Sequence, residues 1–148
     1  MGFDTTFNAF NISASGLSAE RLRMEVVANN ISNASVTRTA DGGPYRRKDV
    51  VFETALSGSG FTPKGSSISS GLGGVSVVGI VDDQAELPRI YNPGHPDAEL
   101  DGFVTMPNVN LPIEMVNLIT ATRAYEANLK AAQSFVDMNQ QALAILKG

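Results

Sequence analysis

The chain contains no cysteine, which excludes a disulfide framework, a thiolate nucleophile and cysteine-based zinc or iron sites. It has a single histidine, His95, in the stretch "NPGHPD", and a lone imidazole in a proline-rich turn reads as structural or solvated. No run of about 18 apolar residues occurs, so no membrane span is expected. The opening "MGFDTTF" lacks a basic region followed by an apolar one, so no cleavable signal is expected either. Met1, Gly2 and Thr6 fit the loose myristoylation pattern, but Asp4 follows and no polybasic segment supplies the second anchor that one acyl chain needs. A basic surface is missing too. The net charge of −4 divides into −1 over residues 1–33, −3 over 34–110 and 0 over 111–148, which argues against nucleic acid as a partner. The cluster Arg46, Arg47 and Lys48 is the local exception. With Asp41 and Asp49 beside it, it reads as a solvated strand edge.

Motifs of chemistry are equally scarce. "LGG" and "PKGSS" lack the spacing of a phosphate loop or a dinucleotide fingerprint. Asp97, Glu99, Asp101 and Gly102 fall where a calcium loop wants its positions 1, 3, 5 and 6, but position 12 is Asn108 and not the bidentate glutamate. Asn11, Asn30 and Asn33 head glycosylation sequons inside or at the end of a predicted helix, where a glycan would destroy the packing, so they are chance matches. No catalytic residue, cofactor or metal is expected.

What the chain does have is a division into three parts. Between residues 34 and 110 lie 11 of the 14 glycines and 6 of the 7 prolines. The ends are therefore permissive for helix and the middle is not. A spacing of four and three picks out Phe3, Phe7, Phe10, Ala14, Leu17, Arg21, Met24, Ala28 and Ile31, broken only by Arg21. From Leu111 it picks out Met115, Leu118, Thr122, Tyr125, Leu129, Ala132, Val136, Asn139, Leu143 and Leu146. Both ends thus carry a coiled-coil pattern. Pro112 suits a first helical turn, capped by Asn110 or its neighbour, with Glu114 near the positive end of the helix. The middle holds β-type runs at 45–53, 75–81, 87–91 and 103–106, and a Gly/Ser-rich stretch, 56–74, that is expected to be mobile or to order only against a partner. The predicted fold class is α+β. Helices over 1–33 and 111–148 pair as a coiled coil, and a small β-rich domain over 34–110 is inserted between them.

A helix over 112–146 would be roughly 50 Å long at about 1.5 Å per residue, against a radius of gyration of about 15 Å for a compact chain of this size. The N-terminal helix is also apolar on two sides. With Phe7 at heptad position a, Ile12, Ala19 and Val26 fall at f and Leu22 at b, where a coiled-coil partner does not reach. Such a helix belongs to an assembly. Asn29 and Asn33 share that second face and, with Leu22 and Val26, are candidates for contacts between subunits. Asn30 and Asn33 could instead end the helix, since asparagine tolerates the left-handed conformation. A ligand-binding or hydrolytic module would need a convergent polar pocket that the sequence does not display. A coiled-coil assembly or adaptor protein remains the alternative within the structural class.

The stretches "SGLSAERLRMEVVANNISNASVTRT" (15–39), "GPYRRKDVVFE" (43–53), "YNPGHPDAELDGFVTMPNVN" (91–110) and "EMVNLITATRAYEANLKAAQSF" (114–135) resemble the axial proteins of the bacterial flagellum, the rod and hook family. The resemblance spares 56–74. It implies a structural subunit of the proximal rod of the basal body, exported by the flagellar type III apparatus and assembled helically into a hollow drive shaft that crosses the periplasm and transmits torque for motility. Implied partners are copies of itself, other rod proteins, ring and rod-base adaptor components and the export apparatus. Neither nucleic acid nor membrane insertion is implied.

Overall fold

The glycine-poor ends of the chain form two long helices, and the glycine-rich middle forms short strands. In order these are α1 (Gly2–Ser32), β1 (Lys48–Ser57), β2 (Gly71–Asp82), β3 (Arg89–Tyr91), β4 (Phe103–Thr105) and α2 (Leu111–Lys147). The architecture is α+β, as expected. A computed structural model describes residues 2–40, 42–57 and 71–147, and side chains over 9–40, 42–55 and 73–145. The Gly/Ser-rich stretch 56–74 lies mostly outside the described residues, its two ends belonging to β1 and β2.

Local chemistry sets the helix boundaries. At the end of α1 the Asn29 carbonyl accepts both the backbone N–H of Asn33 at 3.1 Å and the Asn33 side-chain amide at 2.9 Å, so Asn33 closes the last turn with its own side chain. At the start of α2 the Asn110 side-chain oxygen accepts the N–H of Ile113 at 3.2 Å, while its carbonyl accepts the N–H of Glu114 at 2.9 Å. That is the N-cap expected of Asn110, with Pro112 in the first turn where a missing N–H costs nothing. Strands β1 and β2 form one two-stranded sheet. Strands β3 and β4 form a second, antiparallel, with Arg89 opposite Thr105, Ile90 opposite Val104 and Tyr91 opposite Phe103.

The chain divides into two compact units, each drawing on both helices and part of the middle. In the unit of residues 1–21, 52–78 and 122–148, Ser13, Ala19 and Ala132 are buried. A Cβ added at Gly16 would lie 2.8 Å from the Asn128 side chain, so a small residue at 16 lets α2 come close to α1 here. Ser15 Oγ donates to the Ile12 carbonyl at 2.7 Å and accepts the N–H of Val75 at 3.1 Å, tying β2 to α1. Gly74 has φ +85° and lies directly over Ser15, so both its conformation and its surroundings exclude a side chain.

In the unit of residues 22–51 and 79–121, the buried apolar residues are Val26, Val27, Tyr45, Val50, Val104 and Ala121. All are small except Tyr45. Of the three largest side chains that are almost wholly enclosed, Glu114 and Asn30 are polar and only Val104 is apolar. Ala121 is fully buried. Ala121→Leu should therefore lower stability by about 1–3 kcal/mol through overpacking, whereas Ala127→Leu, on the exposed face of α2, should change it by less than about 0.5 kcal/mol. The urea midpoints of the two purified variants check this.

Candidate functional site

The unit of residues 22–51 and 79–121 is organised by one buried amide. Asn30 is 0% exposed, and both ends of its side chain are used. Its Nδ2 donates to the Lys48 carbonyl at 2.8 Å and to Glu114 Oε2 at 3.0 Å. Its Oδ1 accepts the N–H of Lys48 at 2.9 Å and lies 2.9 Å from the Tyr45 hydroxyl. The same hydroxyl lies 3.0 Å from Asn29 Oδ1 and, with one proton, donates to one of these oxygens at a time. One side chain near the end of α1 thus captures both backbone groups at the first residue of β1 and the carboxylate in the first turn of α2.

Glu114, 1% exposed, is held from a second side. Arg47 Nε donates to its Oε1 at 2.8 Å, and Asn117 Nδ2 approaches the same oxygen at 3.2 Å. Arg47 also faces Asp49 at 3.2 Å and Asp83 at 3.5 Å, and its backbone N–H donates to Asn108 Oδ1 at 2.8 Å. Burial works against the guanidinium charge, but the hydrogen bond and charge of Glu114, and then those of Asp49, outweigh it and raise the Arg47 pKa. Burial, followed by the charges of Asp82 and Glu114, raises the Tyr45 phenol above its ordinary value of 10.0. The cluster holds no nucleophile with a base beside it. It is a fully partnered polar core, suited to fixing the relative placement of three segments and not to chemistry.

These positions depart from what the sequence suggests. The cluster Arg46, Arg47 and Lys48 is not a uniformly solvated edge. Arg46 donates to the Asp83 carbonyl at 3.1 Å, Arg47 is the counterion of Glu114, and only the Lys48 side chain stands in solvent. Asn30, which the sequence left open between a helix-ending residue and a contact between subunits, is the centre of the network. The signal for it was Glu114, the sole acid in the first three turns of α2. Two of the three acidic residues of the calcium-like stretch are engaged otherwise, and Asp101 is exposed. Asp97 accepts from Thr37 at 2.7 Å and lies 3.7 Å from Arg38, and Glu99 pairs with Arg89 at 2.6 Å. Among the described residues no group of acidic or histidine side chains could hold a metal ion, and no helix is long and apolar enough to cross a membrane.

The expected seam positions divide in the single chain. Leu17, Met24, Ile31, Leu118 and Tyr125 are half-buried. Phe10, Leu111, Met115, Leu129, Val136 and Leu143 are exposed. The side chains of Phe3, Phe7 and Leu146 lie outside the described residues. Along α2 the buried or half-buried positions are Glu114, Asn117, Leu118, Ala121, Thr122, Ala124, Tyr125, Asn128, Ala131, Ala132, Phe135 and Asn139. The face that α2 turns to its own chain therefore shares Leu118, Thr122, Tyr125, Ala132 and Asn139 with the heptad pattern and leaves Met115, Leu129, Val136 and Leu143 bare. Of the candidates for contacts between subunits, Leu22, Val26 and Asn29 line an open groove of about 240 Å³ together with Glu25, Lys48 and Ile80. Asn33 bonds back to Asn29 at 3.0 Å.

Asn30→Leu should cost about 3 kcal/mol or more, because it leaves buried Glu114 Oε2 and the two Lys48 backbone groups without the partner Asn30 supplies. Tyr45→Phe removes a single donor and should cost about 1 kcal/mol. Because the folded chain raises the Tyr45 pKa, that contribution is complete below pH 10 and is lost as pH rises through the higher folded value. The part of the alkaline destabilisation due to Tyr45 should therefore vanish in Tyr45→Phe. Urea midpoints at neutral pH and between about pH 9 and 11 check both statements.

Two family models match the chain. One, described as flagella basal body rod protein, covers residues 10–38, and the other, described as flagellar basal body rod FlgEFG protein C-terminal, covers residues 100–145. The chain is 43% identical to the flagellar basal-body rod protein FlgC of Borreliella burgdorferi over 96% of its own length and 98% of that protein. It is 40% identical to FlgC of Bacillus subtilis, covering 97% and 99%, and 36% identical to FlgC of Salmonella typhimurium, covering 93% and 96%. Each match leaves little of either protein over, so the chain belongs to the FlgC family of flagellar basal-body rod proteins.

Proposed function

We propose that this chain is a structural subunit of the proximal rod of the bacterial flagellar basal body, where the rod crosses the periplasm, and that it is not an enzyme. The observation that carries this reading beyond the family match is the outer face of α2. Leu111, Met115, Leu129, Val136 and Leu143 recur there at heptad spacing and are exposed in the single chain. Isolated exposed leucines are ordinary, but a row of them along one helix marks a surface that another molecule covers. The relatives named above are rod proteins, which supports neighbours that are copies of this chain, other rod proteins and the basal-body components at the rod's base and rings.

In this reading the terminal helices pair as a coiled coil. The support is local: Gly16 lies against Asn128 in one unit, and Asn30 bonds to Glu114 in the other. The chain is exported by the flagellar type III apparatus and, once assembled, transmits torque through the hollow shaft. Arg21, the charged residue in the heptad pattern of α1, is exposed, so Arg21→Leu should be tolerated in assembly.

Leu129 and Ala132 separate the two kinds of surface. Leu129→Lys alters a position open in the single chain, so the protein should be made and exported normally. In the rod, losing the leucine's burial costs roughly 2 kcal/mol and desolvating the ammonium adds several more. Cells carrying it should swim poorly or not at all in soft agar, with basal bodies arrested at the rod stage. Ala132→Lys, at a buried position, should already reduce the amount of intact chain. Normal rods with Leu129→Lys would contradict the proposal that this face is covered in assembly.

A further inference from the structure

Two features of the unit of residues 22–51 and 79–121 have no role in the network around Asn30. One is Leu100, which is fully exposed although large and apolar. It sits in the turn-rich loop between β3 and β4, and that loop is rigidly built. The N–H of Asn92 donates to the Gly102 carbonyl at 2.9 Å, that of Gly102 to Glu99 at 2.8 Å and that of Glu99 to Phe103 at 2.8 Å. The N–H of Asp97 donates to His95 Nδ1 at 3.1 Å. Gly102, at φ +78°, lets the Tyr91 ring pack against the turn. A side chain presented on such a frame loses little further freedom when it binds. Glu99 is occupied by Arg89, so Asp101 is the carboxylate beside Leu100 that has no ion-pair partner among the described residues.

The other feature is the groove between α1 and the β1–β2 ribbon. Its apolar walls are Leu22, Val26 and Ile80, and its rim carries Glu25, Asn29 and Lys48. At about 240 Å³ it holds several times the roughly 30 Å³ share of one water, enough for a leucine side chain. The Lys48 side chain is exposed and its backbone is pinned by Asn30, so the charge is tethered to the rim and free to reach a carboxylate there.

We infer that Leu100 of one copy seats in the Leu22, Val26 and Ile80 groove of a second copy of this chain, with Asp101 against Lys48. Size, polarity and charge agree. Because knob and groove are different surfaces, each copy can use both at once. Such a head-to-tail contact can repeat from copy to copy, closing into a ring or running on as an open helix according to its rotation, and either suits a subunit of a shaft. The inference rests on the rod-subunit reading for its occupant and goes beyond it by naming the contact.

The absence of cysteine makes the test direct, since any disulfide must come from introduced residues. Leu100→Cys chains and Ile80→Cys chains are expressed together in cells lacking their own copy, and the oxidised basal bodies are run without reductant. The seated contact brings the two positions within the reach of a disulfide, about 7 Å between Cα atoms. A dimer-sized band is expected from the mixture and from neither variant alone, with a ladder when both changes are on one chain. Adding Asp101→Lys should reduce the band several-fold, and adding Lys48→Glu as well should restore it. No band from the mixture, or a band from Leu100→Cys chains alone, would overturn the inference. The purified chains are oxidised at high concentration in parallel. A band there, with an unsubstituted chain that fails to restore motility, would support the contact and count against the rod reading alone.

Discussion

The hydrogen bond between Asn30 and Glu114 is the constraint on which the rest of the unit of residues 22–51 and 79–121 depends. A buried carboxylate is tolerated only when its oxygens are filled, and Glu114 is filled by Asn30 on one side and by Arg47 and Asn117 on the other. Asn30 in turn spends its remaining donor and acceptor on the backbone of Lys48, where β1 begins. Three segments far apart in sequence are thereby fixed by side chains with little freedom to substitute for one another. The apolar residues around them are small, and they fill space more than they specify position. An assembly subunit gains from this arrangement, because a polar core with directional bonds fixes one geometry where a core of valine and alanine alone would tolerate several.

That internal economy explains what is left outside. With polar groups and small residues turned inward along α2, the larger apolar residues, Met115, Leu129, Val136 and Leu143 among them, stand on the outer side of the helix. These apolar side chains stand in solvent in the single chain. In water such a surface favours association. In the rod-subunit reading the interior polar network holds the shape and the exterior apolar row supplies the driving force for joining neighbours.

Much of the architecture was legible in the sequence, for a physical reason. Glycine and proline segregate to the middle, the helical period is clear at both ends, and Asn110 followed by Pro112 is a cap that acts locally. The candidate site was legible only in part. Hydrophobic periodicity ranks positions by apolarity, so it selected Leu129 and Val136 over Asn128, although Asn128 is the more sheltered in the single chain. It had no means of finding a core built on Asn30 and Glu114, whose burial depends on partners more than 80 residues apart, the hydrogen bond between them spanning a separation of 84. Arg47 was misread for the same reason, because its nearest charges in sequence are not its main partner.

A cryo-electron microscopy map of the extracted basal body, sharp enough to place side chains, tests the central claim most directly. The account predicts that this chain lies in the proximal rod with the outer face of α2, from Met115 to Leu143, covered by neighbouring subunits, while Asn30, Glu114 and Arg47 keep their mutual bonds. A rod whose density is fully explained without this chain, or one in which that face of α2 stands bare to solvent, would contradict it.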